Sequence, residues 1–136
     1  MTHARAMLET HPSPAGTLST DTLAEILHHL EECAQTCTMC ADACLAEDMV
    51  GELRRCIRLN LDCADLCETT AAVLGRQVEP DTATVRALIE ACRAACAACG
   101  SECANHADMH QHCRVCAEAC QRCEQSCSQA LQQLNA

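Results

Sequence analysis

The sequence predicts an all-α fold, an antiparallel up-down-up-down four-helix bundle with a Cys-lined core. Three observations predict it. Apolar residues and cysteines recur at steps of three and four along four segments of roughly 22 to 26 residues, the period of a helix with one buried face. The links between these segments are short, which favours antiparallel neighbours. No stretch alternates apolar and polar residues with the period of two that a strand would show.

Residues 1–20 read as a polar N-terminal tail carrying His3, Arg5, Glu9 and His11. A short helical turn fits around Ala4 to Glu9, before Pro12, Pro14 and Gly16 break it. Residues 21–136 form the bundle. Thr20 or Asp21 is the expected N-cap of a first helix from about Thr22 to Ala46. Glu47 to Gly51 reads as a tight connection. A second helix then runs from about Gly51 to Leu74, with Gly75 as its stop. Asp81 or Thr82 caps a third helix that reaches about Asn105. His106 to His112 connects it to a fourth helix ending near Leu134.

A chain of 136 residues suits one domain with its own core. That core cannot be ordinary: Phe, Tyr and Trp are absent, the long aliphatics are confined to a few stretches, and 16 residues are cysteine. The tail has no apolar run of signal-peptide length, and no window approaches the roughly 20 apolar residues of a membrane span. The expectation is a cytoplasmic protein whose thiols stay reduced, which points the cysteines to metal rather than to disulfides. The net charge of −10 argues against a nucleic-acid partner and would attract a cationic cargo. The same acids also serve simply as a solvated surface.

The cysteines form ladders. Cys33, Cys37, Cys40 and Cys44 lie in the first helix, and Cys92, Cys96, Cys99 and Cys103 repeat the same steps in the third, a loose twofold repeat. The fourth holds Cys113, Cys116, Cys120, Cys123 and Cys127, and the second Cys56, Cys63 and Cys67. On a helix turning about 100° per residue, Cys33 to Cys44 fall within a sector of about 60°. The stripes continue as aliphatics: Leu23, Ile26, Leu27 and Leu30; Leu74; Val85, Leu88 and Ile89; Leu131 and Leu134. Because the opposite faces carry Glu32, Gln35, Asp42, Arg58, Arg93, Glu118 and Arg122, the thiols are expected to point inward.

Antiparallel packing would gather the aliphatic ends into a hydrophobic plug. Cys44, Met49, Cys56, Cys103, His106, Met109, His110, His112 and Cys113 would converge at the other end, a mouth. Asn60 stands where a cysteine would complete the second ladder; an inward amide must find partners, either a helix carbonyl or an ion to which it is a weak ligand. His106 and His110 are candidate ligands or entry residues, His112 a weaker one. Met49 and Met109 are core filler or soft ligands, Met39 is expected to pack between helices, and His3, His11, His28 and His29 to lie on the surface.

Side chains at i, i+3 and i, i+4 are near enough for their sulfurs to converge on one ion, and soft thiolates select Cu(I), Zn(II) or iron-sulfur clusters. Zinc prefers a closed tetrahedron, commonly from CxxC knuckles on turns. A ferredoxin would place proline after a cysteine, and none follows one here. Redox catalysis needs one or two exposed low-pKa thiols rather than a buried column. Cysteine as a mere small hydrophobe would make a weak core, each thiol contributing less than the ~1.5–3 kcal/mol of a buried leucine. The residues thus favour storage and detoxification of multiple Cu(I) ions without catalysis. A zinc or heavy-metal buffer, a thiol redox protein, and a bundle handing metal to a copper chaperone remain as alternatives.

The ladders C-x3-C-x2-C-x3-C from Cys33 and from Cys92, and C-x2-C-x3-C-x2-C-x3-C from Cys113, resemble those of the four-helix-bundle copper storage proteins, specifically the cytosolic branch. The resemblance spans about Leu23 to Leu134. It implies a preformed bundle that takes up many Cu(I) ions, a homotetramer, and soft or imidazole ligands at one mouth. By the same resemblance His106, His110, Met49 and Asn60 lie at the entry end, with Asn60 a departure that interrupts one ladder.

Overall fold

The computed structural model describes residues 2–13 and 16–135. Pro14, one of the residues expected to break the tail, lies outside the described residues, as do Met1 at the start of the expected tail and Ala136 at the end of the expected bundle. The described residues form α-helices α1 (Thr2–Glu9), α2 (Thr20–Leu45), α3 (Arg54–Leu74), α4 (Thr82–Asn105) and α5 (Gln111–Leu134), with a single 3-10 turn at Val50–Leu53 and no strand among them.

Local chemistry sets the ends. Ser19, rather than Thr20 or Asp21, caps α2: its hydroxyl oxygen accepts the Thr22 N–H at 3.2 Å, reaching the third residue of the helix. Asp21 then sits in the first turn, where the helix dipole favours a carboxylate. The expected start of the second helix at Gly51 is instead the 3-10 turn, and regular α geometry begins at Arg54. Gly75 closes α3 in right-handed geometry, at φ −70°, so its conformational freedom is not used. The stop comes from Gln77, whose side-chain amide donates to the Leu74 carbonyl at 2.7 Å, and from Glu79, which turns the chain at φ 50°. Asp81 caps α4, accepting the Thr84 N–H at 3.0 Å, and His106 ends it. His110 is the N-cap of α5.

α2 packs beside α3 and α5, and α4 also packs beside α3 and α5, which closes a ring around a central column. Sulfur pairs step in opposite senses along neighbours: Cys56 meets Cys103, Cys63 meets Cys96 and Cys67 meets Cys92. Cys33 meets Cys120 while Cys37 meets Cys116. The α4–α5 approach is close enough to need a glycine. A Cβ on Gly100 would lie 3.2 Å from the Cys120 Cβ, tighter than ordinary side-chain contact.

Every one of the 16 cysteines is buried. Beyond them Leu23, Ile26, Leu27, Leu30, Leu74, Val85, Ile89, Leu131 and Leu134 are buried, with Leu88 half-buried; Leu18, ahead of α2, adds to the same plug. This aliphatic end supplies the burial that thiols supply only weakly. α1 covers it from outside: Ala4 and Leu8 pack on the core, and Arg5 donates to Asp21 at 2.8 Å. Two methionines depart from expectation. Met39 is 61% exposed, because its offset from the ladder carries it away from every neighbouring helix. Met109 is 67% exposed, because α5 starts only at Gln111 and leaves it in the link.

Candidate metal centre

The helical steps of three and four stack the sulfurs of each helix, and the ring of helices brings four stacks to one axis. Within α2, Cys33 and Cys37 sulfurs are 3.8 Å apart; within α3, Cys63 and Cys67 are 3.9 Å apart. Across helices, Cys37 lies 3.6 Å from Cys120, 3.7 Å from Cys116 and 3.9 Å from Cys99. Cys63 and Cys67 lie 3.7 Å from Cys96 and Cys92 respectively, and Cys67 lies 4.0 Å from Cys123. A disulfide needs sulfurs about 2.05 Å apart, so these are free thiols within reach of a shared ion.

The ligand atoms fall into quartets whose members all lie within 4.8 Å of one another. Wholly sulfur quartets include Cys33, Cys63, Cys67 and Cys96; Cys33, Cys37, Cys63 and Cys120; Cys37, Cys99, Cys116 and Cys120; and Cys67, Cys92, Cys96 and Cys123. They overlap, since Cys33, Cys37, Cys63, Cys67, Cys96 and Cys120 each belong to at least two. An array of shared thiols differs from an isolated tetrahedral site, whose four ligands serve one ion.

Asn60 is fully buried within the column. Its amide oxygen accepts from the thiols of Cys99 at 3.1 Å, Cys116 at 3.3 Å and Cys103 at 3.5 Å, and its amide nitrogen donates to Cys56 at 3.8 Å. The helix carbonyl considered as its partner is replaced by sulfur, because the side chain points at the axis instead of back along α3. Thr70, three residues after Cys67, is likewise fully buried, and its hydroxyl has no hydrogen-bond partner.

At the mouth the sulfurs meet nitrogen. Cys40, Cys44, Cys113 and His112 form a mixed quartet. His112 Nδ1 is 3.5 Å from the Cys40 sulfur and 3.6 Å from that of Cys113, and its Nε2 meets Glu47 at 2.9 Å. His110 is 7% exposed, and its Nδ1 lies 2.9 Å from the same carboxylate at ion-pair distance. Burial, with the Cys40 sulfur next in weight, pushes the Cys44 thiol up to about 11. Burial likewise raises Cys113. Burial opposes the charge on His112, but the Cys40 thiol and the Glu47 carboxylate outweigh it and raise its pKa. The hydrogen bond from His112 in turn lowers that of Glu47.

The other mouth residues are placed differently. His106 is half-buried and its Nε2 bonds Glu102 at 2.8 Å, one helical turn back, rather than a thiol. Met49 is half-buried at the start of the 3-10 turn. His112, ranked below His106 and His110 from sequence, is the histidine that touches sulfur. Its position one residue before Cys113 rotates it off the stripe, but the end of α2 supplies Cys40 beside it. Glu47 carries no sequence signal at all: its partners lie more than sixty residues away.

A family model described as copper storage protein matches residues 19–132. The copper storage protein Ccsp from Streptomyces lividans, in a structure loaded with 10 copper equivalents, is 50% identical and superposes with a TM-score of 0.93, covering 95% of this chain and 98% of that one. A cytosolic copper storage protein from Streptomyces lividans with five coppers is 54% identical, with a TM-score of 0.82, covering 82% and 93% respectively. A variant of Ccsp with one histidine changed to alanine is 51% identical, with a TM-score of 0.86, covering 88% and 99%. No curated protein sequence matches the chain.

Proposed function

The chain belongs to the copper storage protein family, and on that premise we propose that it stores copper as multiple Cu(I) ions on cysteine thiolates, in the cytoplasm, without catalysing a reaction. The overlap of the buried thiol quartets carries this reading. Soft sulfur selects a soft ion, and shared thiolates suit an ion of low coordination number. Zinc in closed tetrahedra would use four thiolates per ion and leave the overlap without purpose. The Streptomyces lividans relatives, loaded with ten and with five coppers, support the cargo, and one of them is described as cytosolic.

In this reading the four long helices are an antiparallel up-down-up-down bundle over residues 21–136, with residues 1–20 as an accessory segment. Its ligands are the cysteines from Cys33 to Cys127. Ions enter at the mouth, where His112 touches the sulfurs of Cys40 and Cys113 and His110 stacks beside it, while His106 and Met49 border it; Asn60 contributes a weak oxygen ligand partway down. Each ion displaces thiol protons as it binds, so loading releases acid. The family resemblance supports a homotetramer, and a copper chaperone fits as the donor of the cargo.

Anaerobic titration of reduced protein with Cu(I), against a strong Cu(I) chelator, tests the reading. The expected result is retention of several equivalents per chain. Loss of all copper to the chelator while zinc is retained would replace this reading with a zinc buffer.

A further inference from the structure

The flank of α2 beside the aliphatic plug carries four side chains that neither the thiol column nor its mouth uses. Glu25, His28, His29 and Glu32 stand at i, i+3, i+4 and i+7, so they share a sector of about 100° over two helical turns. Both histidines are half-buried and both glutamates are exposed. Two nitrogen–oxygen pairs form along this face. His28 Nε2 lies 3.1 Å from Glu32 Oε2, and His29 Nε2 lies 3.9 Å from Glu25 Oε1. The rings stand side by side, with centroids 5.1 Å apart and planes 59° apart, which joins the two pairs into one patch.

The spacing of these donors matches that around a small divalent ion. Zn(II) holds imidazole nitrogen and carboxylate oxygen at about 2.0–2.2 Å, so two such donors on a tetrahedral ion lie about 3.4 Å apart. The distances of 3.1 and 3.9 Å fall on either side of that value. The backbone beneath them is fixed, because Ile26, Leu27 and Leu30 of the same turns are buried in the plug. Two imidazoles and two carboxylates without sulfur suit a borderline divalent cation, whereas monovalent copper is selected by thiolates. The carboxylates also offset Arg122 of α5, whose charge is felt at His29. Exposed ion pairs by themselves stabilise a helix little, so the arrangement has no evident structural purpose.

We propose that Glu25, His28, His29 and Glu32 form an outer site for a borderline divalent cation of the Zn(II) class, separate in place and in ligand chemistry from the thiol column. Each glutamate–histidine pair, four residues apart, clips the ion from one side. The site does not depend on the copper storage reading.

The test must keep Zn(II) off the thiols, which also bind it. Reduced protein is therefore filled with Cu(I), freed of excess metal and titrated with Zn(II), while the nitrogen NMR signals of labelled histidine are followed. Native protein should take up one Zn(II) per chain, with the His28 and His29 Nε2 signals shifting together. The His28→Ala/His29→Ala protein should lose that equivalent, and Glu25→Gln/Glu32→Gln should weaken it, with Cu(I) capacity and helical circular dichroism unchanged in both. No uptake of Zn(II), equal uptake by the histidine variant, or shifts confined to the histidines of the mouth would overturn the proposal. Failure of native protein to retain Cu(I) would remove the storage reading instead. The count made on metal-free protein then decides the outer site: native protein should bind one Zn(II) more than the histidine variant, and equal counts would overturn it.

Discussion

The amide oxygen of Asn60 accepts the Cys99 thiol at 3.1 Å, and so a carboxamide on α3 organises sulfurs from a helix that neighbours it in the ring. Cys116 of α5 and Cys103 of α4 converge on the same oxygen. Asn60→Ala would remove the acceptor for three buried donors. An unsatisfied buried polar group costs about 1–3 kcal/mol, with weak thiol donors at the lower end. The expected outcome in denaturant unfolding of the metal-free protein is a loss of about 1 kcal/mol, whereas Asn60→Cys should hold stability nearly level and raise copper capacity.

The aliphatic plug and the thiol column should be separable. Leu30 and Ile89 are fully buried at the plug end. Leu30→Ala or Ile89→Ala should cost about 2–5 kcal/mol of stability through loss of burial and the cavity left behind. Their Cu(I) equivalents, counted in a chelator-competition titration, should match those of native protein while the protein stays folded.

Cys37 belongs to at least two sulfur quartets and touches three sulfurs on other helices. Cys37→Ala should lower copper capacity while the far-ultraviolet circular dichroism of the metal-free protein stays close to native. Collapse of the helices would contradict a bundle that is formed before loading.

The mouth thiols set opposite pH trends for the empty and the loading protein. Burial raises the Cys44 thiol from an ordinary 9.0 to about 11, so between those values the unfolded chain has lost the proton that the folded chain keeps. The unfolded state then binds fewer protons, and stability falls as pH rises through that window, having been fully present below it. Thermal unfolding of reduced, metal-free protein should show a lower midpoint at pH values near the top of the window than at neutrality. Copper binding follows the other sign: it requires thiolate, so apparent affinity should increase with pH.

Much of the molecule was legible because one periodicity governs it. Steps of three and four placed every cysteine on an inward face, and the aliphatic continuation of each stripe identified the plug, since a helical face that begins as leucine cannot change sides when it becomes cysteine. The boundaries were less legible. Ser19, Thr20 and Asp21 are all competent caps, and only the hydroxyl geometry at Ser19 selects among them. Met109 depended on where α5 begins. The contacts of Glu47 with His110 and His112 were invisible because they depend on how the α2–α3 connection passes the start of α5, and no local pattern encodes that distance. Asn60 was legible as a departure from the ladder, but its partners were not, because the choice between carbonyl and thiol is made by the side-chain rotamer.

Diffraction from crystals of copper-loaded protein, recorded on either side of the copper absorption edge, tests the central claim most directly. The account predicts several anomalous peaks along the bundle axis, among the sulfurs of Cys33, Cys37, Cys63, Cys67, Cys96 and Cys120. Peaks confined to the outer acidic surface, or a column still free of copper after loading, would contradict it.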